Sequence, residues 1–465
     1  MKDNENEILI TQKQIDNYYN KFGLNKTLSS LHLWGLGVGT VIGGTFFGWN
    51  YGLEESGPVG FIFSTIMVTL FYIFITRIFY KFSILLPYAG GPYAYVRKEL
   101  GKFEGYLAGV FTVVEFLFAA SAVTISINSY LINIFPDSSN INLAAGVYLF
   151  FLIMHIIGIK NSAIIELIMT GISISALILF IMGTYNSIDL TNILIETPII
   201  GGYNGIIKSI PYTLWFYLCI EGISLSAEET KNPSTNMKLG FRYSILTVSV
   251  FNFIVVMICL SSVNMKYLLS NDYPLYSVLK VSQPNDKVLL SVFSFLALIS
   301  LFSCLNGMIN GYSRQIFSLS RAGYLPKIFS RIHSITKTPY LAILVPGIVG
   351  IILSTTLNAN NLIFIASIAS ISMFIFVIHS YTKLKENNFE INNKYKKWKN
   401  FLGLYMTNAI IVIYVLYSII SKGKVLQVLI FSSIIILYYF LFSRRFIIND
   451  APEEMESKED ILEIN

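Results

Sequence analysis

The sequence has few charged residues, few histidines and few cysteines. Only 13% of its 465 residues are charged, whereas a soluble domain usually carries about a quarter. The four histidines lack the HxxxH and HExxH spacings of metal sites, so no metal and no cofactor is expected. The three cysteines stand in apolar stretches, which favours small buried side chains over a disulfide framework.

Apolar residues are abundant instead. They make up 54% of the chain, and the mean hydropathy is +0.62. Because about 20 apolar residues cross a bilayer, the sequence predicts an all-α polytopic membrane protein with twelve transmembrane helices. No soluble region of catalytic size remains, which argues against an enzyme. The predicted segments lie near residues 31–52, 59–80, 103–132, 143–159, 162–184, 207–227, 240–263, 288–318, 340–357, 362–381, 401–420 and 425–443.

The positions of the lysines and arginines predict the orientation in the membrane. The net charge of +6 does not indicate nucleic-acid binding, because these residues lie in short loops between apolar runs. An even number of crossings puts both termini on one side, and cytoplasmic loops carry an excess of positive charge. We therefore expect cytoplasmic termini, with residues 1–28 as a polar tail and residues 446–465 as an acidic tail. With that orientation only six of the 33 basic residues fall outside, namely Lys208, Lys266, Lys280, Lys287, Lys422 and Lys424.

The first apolar segment contains residues that weaken a helix. Residues 35–44 hold five glycines, and each costs about 0.5–1 kcal/mol in a helix relative to alanine. We expect the pair Gly43 and Gly44 to unwind the helix at about residues 42–45. The four-residue spacing of Gly35, Gly39 and Gly43 also suits close packing against another helix.

The sixth apolar segment is predicted to be interrupted as well, at about residues 218–222. It combines Pro211, Glu221 and Gly222 in one apolar run. Interrupted segments at matching positions of two halves indicate a transporter built from inverted repeats, with its solute site at the two breaks.

Two glutamates lie inside apolar segments without a basic residue at the same depth. They are Glu115 in the third segment and Glu221 in the sixth. An acid in the membrane is costly unless it is paired or solvated. Each is therefore either a protonated, hydrogen-bonded structural residue or a ligand for a cationic solute such as a protonated amine. Glu166, close to Lys160 at the inner end of the fifth segment, is interpreted as a surface or packing residue.

Two aromatic residues precede the expected break of the sixth segment. Trp215 and Phe216 can cover a bound ammonium group through cation–π contact. An ordinary packed or interfacial role remains open for each of them.

One loop is expected to fold back on the bundle. Residues 87–95 (PYAGGPYAY) carry a glycine pair followed by proline, which allows a tight reversal of the chain. A solvated turn is the alternative interpretation of this segment.

Several motifs resemble those of the amino acid–polyamine–organocation (APC) superfamily. In chain order they cover about residues 28–385. Within the superfamily, residues 48–53, 215–222 and 311–326 are most similar to bacterial ethanolamine permeases. The superfamily motifs are residues 39–47 (GTVIGGTFF), 87–95, 227–233 (AEETKNP), 313–326 (SRQIFSLSRAGYLP) and 338–339 (TP).

The resemblance implies a LeuT-type fold in the cytoplasmic membrane of a bacterium. Residues 29–385 would form ten helices in a 5+5 inverted repeat with broken helices 1 and 6, and residues 386–445 would add helices 11 and 12. The solute would lie between the two breaks. The substrate-binding residues implied or considered are Thr40, Val41, Gly43, Gly44, Thr45, Glu115, Phe116, Trp215, Phe216, Leu218, Cys219 and Glu221.

Two substrate classes fit this interpretation. The first is a small organic amine, most simply ethanolamine, imported by alternating access. The alternative is an amino acid, and Gly44 and Thr45 replace the small residue–glycine pair that many relatives use for its carboxylate. A sensor that binds a solute without moving it is a third hypothesis. A proton is one candidate for the coupling ion, but residues 162–184 lack the lysine that some proton-coupled relatives carry, which leaves the coupling ion open.

Overall fold

The computed structural model describes residues 26–87, 90–135, 143–158, 162–195, 197–336, 338–388 and 425–448. These residues form helices joined by short connections. The α-helices are α1 (Ser30–Phe46), α2 (Tyr51–Leu85), α3 (Pro92–Leu100), α4 (Lys102–Ile134), α5 (Leu143–Ile157), α6 (Ser162–Thr184), α7 (Asn192–Ile195), α8 (Gly202–Leu214), α9 (Pro233–Ser262), α10 (Met265–Leu269), α11 (Pro274–Ser282), α12 (Lys287–Arg321), α13 (Tyr340–Thr356), α14 (Ala359–Asn388) and α15 (Val425–Leu441). Four 3₁₀ helices span Tyr185–Ser187, Ile220–Glu229, Lys327–Ser330 and Ser443–Arg445.

The predicted apolar segments that fall within the described residues coincide with observed helices. Among these residues, six helices are long and apolar enough to cross a membrane. The eleventh predicted segment, residues 401–420, lies outside the described residues, so the total of twelve crossings stays a prediction. Within the described part of the chain, the only β-pairing is an isolated bridge between Leu28 and Thr230. The all-helical membrane architecture is therefore confirmed.

The core lies around α4, which packs against α12, α13 and α14. A second group places α1 against α6, α9 and α12. Large apolar side chains such as Leu70, Phe295 and Ile352 remain more than half exposed on the outside of the bundle. Such a surface is unfavourable in water but matches the acyl chains of a bilayer. The protein is therefore a multi-pass membrane protein.

The first predicted break is displaced along the chain. Residues 42–45 are α-helical, and α1 continues to Phe46 before residues 47–50 form a turn. Gly43 and Gly44 stay in the helix because they allow close packing. A Cβ on Gly43 would stand 2.8 Å from Cβ of Cys304. The chain leaves the helix where Gly48 takes φ +86°, a conformation that glycine adopts without strain.

The sixth predicted segment is interrupted in the expected region. Helix α8 ends at Leu214, residues 215–219 form turns, and a 3₁₀ helix follows from Ile220. At Cys219 the backbone takes φ +72°, which is uncommon for a residue other than glycine. The hydroxyl of Ser367 on α14 donates to the carbonyl oxygen of Pro211 at 3.0 Å. This bond stabilises the end of α8, where regular helical bonding stops.

The segment after α2 packs against the bundle as predicted. Tyr93 and Tyr95 of α3 are completely buried. Gly91, with φ +48°, precedes α3 at a point where a Cβ would stand 2.6 Å from Cδ2 of Leu225. Tyr88, also named in this prediction, lies outside the described residues.

A small interface joins the start of α1 to the end of the Ile220–Glu229 helix. The backbone N–H groups of Thr27 and Leu28 donate to the carbonyl oxygen of Glu229 at 2.8 and 2.9 Å. The N–H of Lys231 donates back to the carbonyl oxygen of Leu28 at 2.9 Å. On the same helix Glu229 forms a 2.6 Å ion pair with Arg314 of α12. We call these contacts the end clamp.

Replacing Arg314 with alanine is expected to destabilise the end clamp. Its guanidinium group also donates to the hydroxyl of Ser226 at 3.1 Å and to the carbonyl of Leu225 at 3.3 Å. Hydrogen bonds to charged groups contribute about 1.5–3 kcal/mol, so the midpoint of thermal unfolding should fall. Arg331→Ala provides a matched control because Arg331 is exposed. Equal midpoints for the two variants would contradict this assignment.

Candidate functional site

Helix α1 meets the second interrupted region, residues 215–219, at Gly44. A Cβ at this position would stand 2.6 Å from the carbonyl oxygen of Trp215 and 3.4 Å from Cα of Phe216. The backbones of α1 and of residues 215–219 are therefore in direct contact. A side chain at position 44 would separate them.

Glu115 and Glu221 lie together beside this contact. Both side chains are completely buried, and their carboxyl groups lie close enough to interact electrostatically. The backbone N–H of Cys219 donates to Oε1 of Glu115 at 3.0 Å, so the left-handed turn at Cys219 directs an amide towards the acid. We call Glu115 and Glu221 the acid pair.

The acid pair is surrounded by buried oxygen atoms with unused hydrogen-bonding capacity. The hydroxyl of Ser370 on α14 lies close to Glu115 and to Tyr72 of α2. Neither glutamate forms an ion pair with any lysine or arginine that the structure describes. Buried polar atoms are normally paired, so this cluster is suited to a polar, cationic solute. The oxygen atoms without a hydrogen-bond partner are Tyr72 Oη, Glu115 Oε2, Glu221 Oε1, Glu221 Oε2 and Ser370 Oγ.

Trp215 and Phe216 are held by contacts with the protein. The indole N–H of Trp215 donates to the carbonyl oxygen of Phe47 at 2.7 Å, directly after α1 ends. The ring of Phe216 packs against Trp49 and Phe61, with centroid distances of 6.1 and 6.3 Å. Both rings therefore stabilise the interrupted regions. Their cation–π contact with a solute stays a prediction.

Phe116 fills the space beside the acid pair. Its ring lies 3.3 Å from where a Cβ on Gly222 would stand, and it is packed closely on Gly311 of α12. The ring therefore separates α12 from the 3₁₀ helix that carries Glu221. A movement of either element requires Phe116 to move.

The remaining predicted residues of α1 face other helices. Thr40 lies against Gly307 of α12, and Cys304 donates its thiol proton to the Thr40 carbonyl at 2.7 Å. The hydroxyl of Thr45 donates to Oδ1 of Asn252 on α9 at 2.5 Å. Val41 is buried, as is Leu218 in the second interrupted region. The structure thus brings Glu115, Glu221, Cys219 and Phe116 together, whereas Thr40, Gly43 and Thr45 support helix packing.

Sequence reasoning did not find Tyr72 and Ser370. The chain contains 29 tyrosines, and nothing in the local sequence distinguishes this one. Ser370 stands in a serine-containing apolar run that is typical of a packed membrane helix. Only the fold brings α2 and α14 to the acid pair.

Of the two roles that the sequence suggested for Glu166, surface or packing, the surface role is wrong. It is 2% exposed. The hydroxyl of Ser303 donates to its Oε1 at 2.7 Å, and the amide of Asn306 donates to its Oε2 at 2.6 Å. Both partners belong to α12, so Glu166 forms a second buried acid site. Lys160 lies outside the described residues.

Interrupted helices that meet beside buried acids, inside a bundle of membrane-length helices, define the class of the protein as a membrane transporter. Irregular backbone is tolerated at membrane depth only where protein buries it or where it lines a cavity. The sequence model for the family "Amino acid permease" matches residues 32–456, and the chain belongs to this family.

Individual relatives cover most of the chain. The branched-chain amino acid permease BcaP of Bacillus subtilis (strain 168) is 23% identical over 446 residues, which are 91% of this chain and 94% of the relative. The methylthioribose transporter of the same strain is 26% identical over 444 residues, which are 91% of this chain and 94% of the relative. Cationic amino acid transporter 1 of Arabidopsis thaliana is 25% identical over 422 residues, 83% of this chain and 67% of the relative. None of these names refers to ethanolamine, so the findings favour the amino acid alternative.

Proposed function

We propose that this protein is a secondary-active transporter that imports amino acids and prefers those with a net positive charge. The observation that carries the proposal is the acid pair. Glu115 and Glu221 lie close enough to interact electrostatically in a fully buried site. Two carboxylates this close cannot both remain ionised in an apolar interior unless a cation compensates them.

The charge of the substrate separates the candidate amino acids. A zwitterion brings no net charge to the acid pair, whereas lysine or arginine brings one positive charge. The cationic solute therefore leaves less uncompensated charge in a medium where charge is costly. The similarity to a transporter named for cationic amino acids agrees with this preference.

Ethanolamine is the second candidate. It carries an ammonium group, adds no carboxylate to the two acids of the site, and has a hydroxyl for partners such as Tyr72 Oη and Ser370 Oγ. The same acid pair supports it, but the relatives named as amino acid transporters support an amino acid.

We place the protein in the cytoplasmic membrane of a bacterium, with both termini inside. The excess of basic residues in the inner loops supports this orientation. The interruptions after α1 and after α8 support the proposal of a 5+5 inverted repeat over residues 29–385. Residues 386–445 are proposed to add two helices, with tails at residues 1–28 and 446–465.

Counterflow in proteoliposomes tests this function. Vesicles preloaded with unlabelled lysine should take up labelled lysine, and external arginine should compete more strongly than leucine or ethanolamine. Dominant competition by leucine would reject the charge preference, and dominant competition by ethanolamine would establish the second candidate. Binding of labelled solute to the purified protein without counterflow would identify a sensor and reject transport.

A further inference from the structure

The buried acid on α6 is not explained by substrate binding. Glu166 contacts α12 and α1, whereas the acid pair lies on α4 and on the Ile220–Glu229 helix. We propose that Glu166 is a proton-binding site, separate from the substrate site, that takes up and releases the proton coupled to transport. This inference rests on the proposed transport function and adds the coupling ion and its residue.

Three polar groups surround the Glu166 carboxyl group. The Ser303 hydroxyl donates to Oε1 and the Asn306 amide donates to Oε2. Thr170, one turn further along α6, donates its hydroxyl to the carbonyl oxygen of Gly35 on α1 at 2.8 Å. A Cβ on Gly39 would stand 2.5 Å from Oγ of Ser303 and 2.6 Å from Oγ1 of Thr170, and it would clash with Oε1 of Glu166. Three helices therefore converge on this carboxyl group.

Among the described residues, no lysine or arginine forms an ion pair with this carboxyl group. Within the described ranges, the ion pairs that involve α12 join Arg314 and Arg321 to Glu229 and Glu228, not to Glu166. The hydrogen bonds from Ser303 and Asn306 stabilise a carboxylate but do not neutralise it. An unpaired carboxylate inside a membrane bundle is costly, and a bound proton removes this cost without any further ligand.

The two oxygen atoms of Glu166 have different partners. An amide NH₂ group only donates, so Asn306 keeps Oε2 as a hydrogen-bond acceptor. A hydroxyl group donates or accepts, and a helical serine can turn its proton to a carbonyl oxygen of the preceding turn. When a proton from water binds Oε1, the new O–H group donates to Oγ of Ser303, whose own hydrogen turns to the backbone. The geometry thus assigns the proton to Oε1.

A metal ion fits this site less well than a proton. One carboxylate oxygen faces an N–H donor, which repels a cation, and Gly39 passes too close to Oε1 for an ion to lie between them. Hard cations also require several oxygen ligands arranged around them.

Other ionisable groups close to Glu166 lie on the neighbouring helices. On α12, Cys304 is engaged with the Thr40 carbonyl oxygen. On α5, the ring of His155 contacts the backbone oxygen of Asn306 at 3.2 Å, on the far side of the residue that binds Glu166. Helix α1 contributes backbone at Gly35 and Gly39. These groups are the controls for any pH dependence assigned to Glu166.

Contact with α1 provides the link to transport. Oε1 lies against Gly39, and α1 also carries Gly44, which contacts Trp215 at the second interrupted region. A change of charge at Oε1 alters the attraction between α1 and the α6–α12 pair. The proton therefore shifts the balance between two positions of α1, which is how a bound ligand acts on a two-state element.

The test compares three variants in proteoliposomes. Wild-type protein should accumulate labelled lysine when the pH gradient is imposed and should catalyse counterflow without a gradient. Glu166→Gln should retain counterflow but lose accumulation driven by the pH gradient. Glu166→Asp keeps an acid and should restore accumulation with a shifted pH profile. Glu115→Gln should differ from Glu166→Gln by losing counterflow as well as accumulation, because it weakens substrate binding.

Each outcome decides the proposal. Accumulation by Glu166→Gln equal to that of the wild type would overturn it, as would accumulation in the wild type that follows a sodium gradient alone. Thermal unfolding reports whether Glu166→Gln folds. If it does not fold, the pH profile of accumulation by Glu166→Asp decides, and a profile equal to that of the wild type would overturn the proposal. A carboxyl band in pH-difference infrared spectra, lost in Glu166→Gln and shifted in Glu166→Asp, is measured without substrate. If lysine, leucine and ethanolamine all fail to show counterflow, the transport function fails while this band still tests the proton site.

Discussion

Glu115→Gln is expected to weaken binding of lysine or ethanolamine by about 1.5–3 kcal/mol, roughly 10- to 150-fold, the range for hydrogen bonds to charged groups. Glutamine keeps the shape of the side chain and removes its charge. Its Oε1 can still accept from the N–H of Cys219, which donates to Glu115 at 3.0 Å. The loss therefore measures the interaction with the ammonium group, after desolvation of both partners is included. Equilibrium binding of labelled substrate to the purified variant checks this value.

Two further variants make the Glu115 result specific. Glu104→Gln removes an acid from the first turn of the same helix and should leave binding unchanged. Glu221→Gln should be non-additive with Glu115→Gln, because residues that share one partner couple in a double-mutant cycle. Unchanged binding and unchanged pH-driven uptake in Glu115→Gln would make Glu115 a structural residue. Unchanged binding with loss of pH-driven uptake would transfer the proton role from Glu166 to Glu115.

Gly44→Ala is expected to weaken substrate binding by a factor similar to that of Glu115→Gln, although it alters neither glutamate of the acid pair. The new Cβ would stand 2.6 Å from the carbonyl oxygen of Trp215. Both contacting groups are backbone, so no side chain can rotate away. Overpacking costs about 1–3 kcal/mol, which corresponds to roughly 5- to 150-fold if the substrate-bound state carries the whole strain. Titration of the variant with labelled lysine measures the effect.

Gly171→Ala is the matched control for Gly44→Ala. No heavy atom lies within 4 Å of a Cβ at position 171, and alanine favours a helix more than glycine does. This variant should bind substrate as the wild type does. Normal binding by both variants would show that α1 and residues 215–219 need not touch in the substrate-bound state.

The helices are predictable from the sequence because membrane burial leaves long apolar runs. The fifth predicted segment, residues 162–184, has the bounds of α6. The interruption after α8 was also predictable, since Pro211 and Gly222 stand within one apolar run. These signals are local, and the physical constraint behind them is local as well: backbone groups in lipid must bond within their own helix.

The position of the first interruption was not predictable from glycine content alone. Glycine weakens a helix but also permits close packing, and the two effects have opposite consequences for Gly43 and Gly44. Tertiary contacts decide between them. Here Cys304 and Trp215 press on these glycines, so the helix remains and the chain turns only at residues 47–50.

The partners of Glu166 were not predictable for a different reason. The sequence offered Lys160 as a neighbour six positions away, whereas the observed partners are Ser303 and Asn306, 137 and 140 residues along the chain. Serine and asparagine in an apolar run do not by themselves predict a contact with a buried acid. The acid pair is similar, since Glu115 and Glu221 were singled out one by one and only the fold shows that they face each other.

The end clamp has a mechanical consequence. The chain entering α1 is bonded through its backbone to Glu229, at the end of the helix that begins with Ile220. These two parts of the chain are therefore mechanically coupled. Any displacement that keeps the backbone hydrogen bonds must move α1 and the Ile220–Glu229 helix together. Because Glu229 is also paired with Arg314, α12 either follows that displacement or gives up the ion pair. Access to the acid pair from this end is then a single all-or-none event rather than the independent opening of two helices.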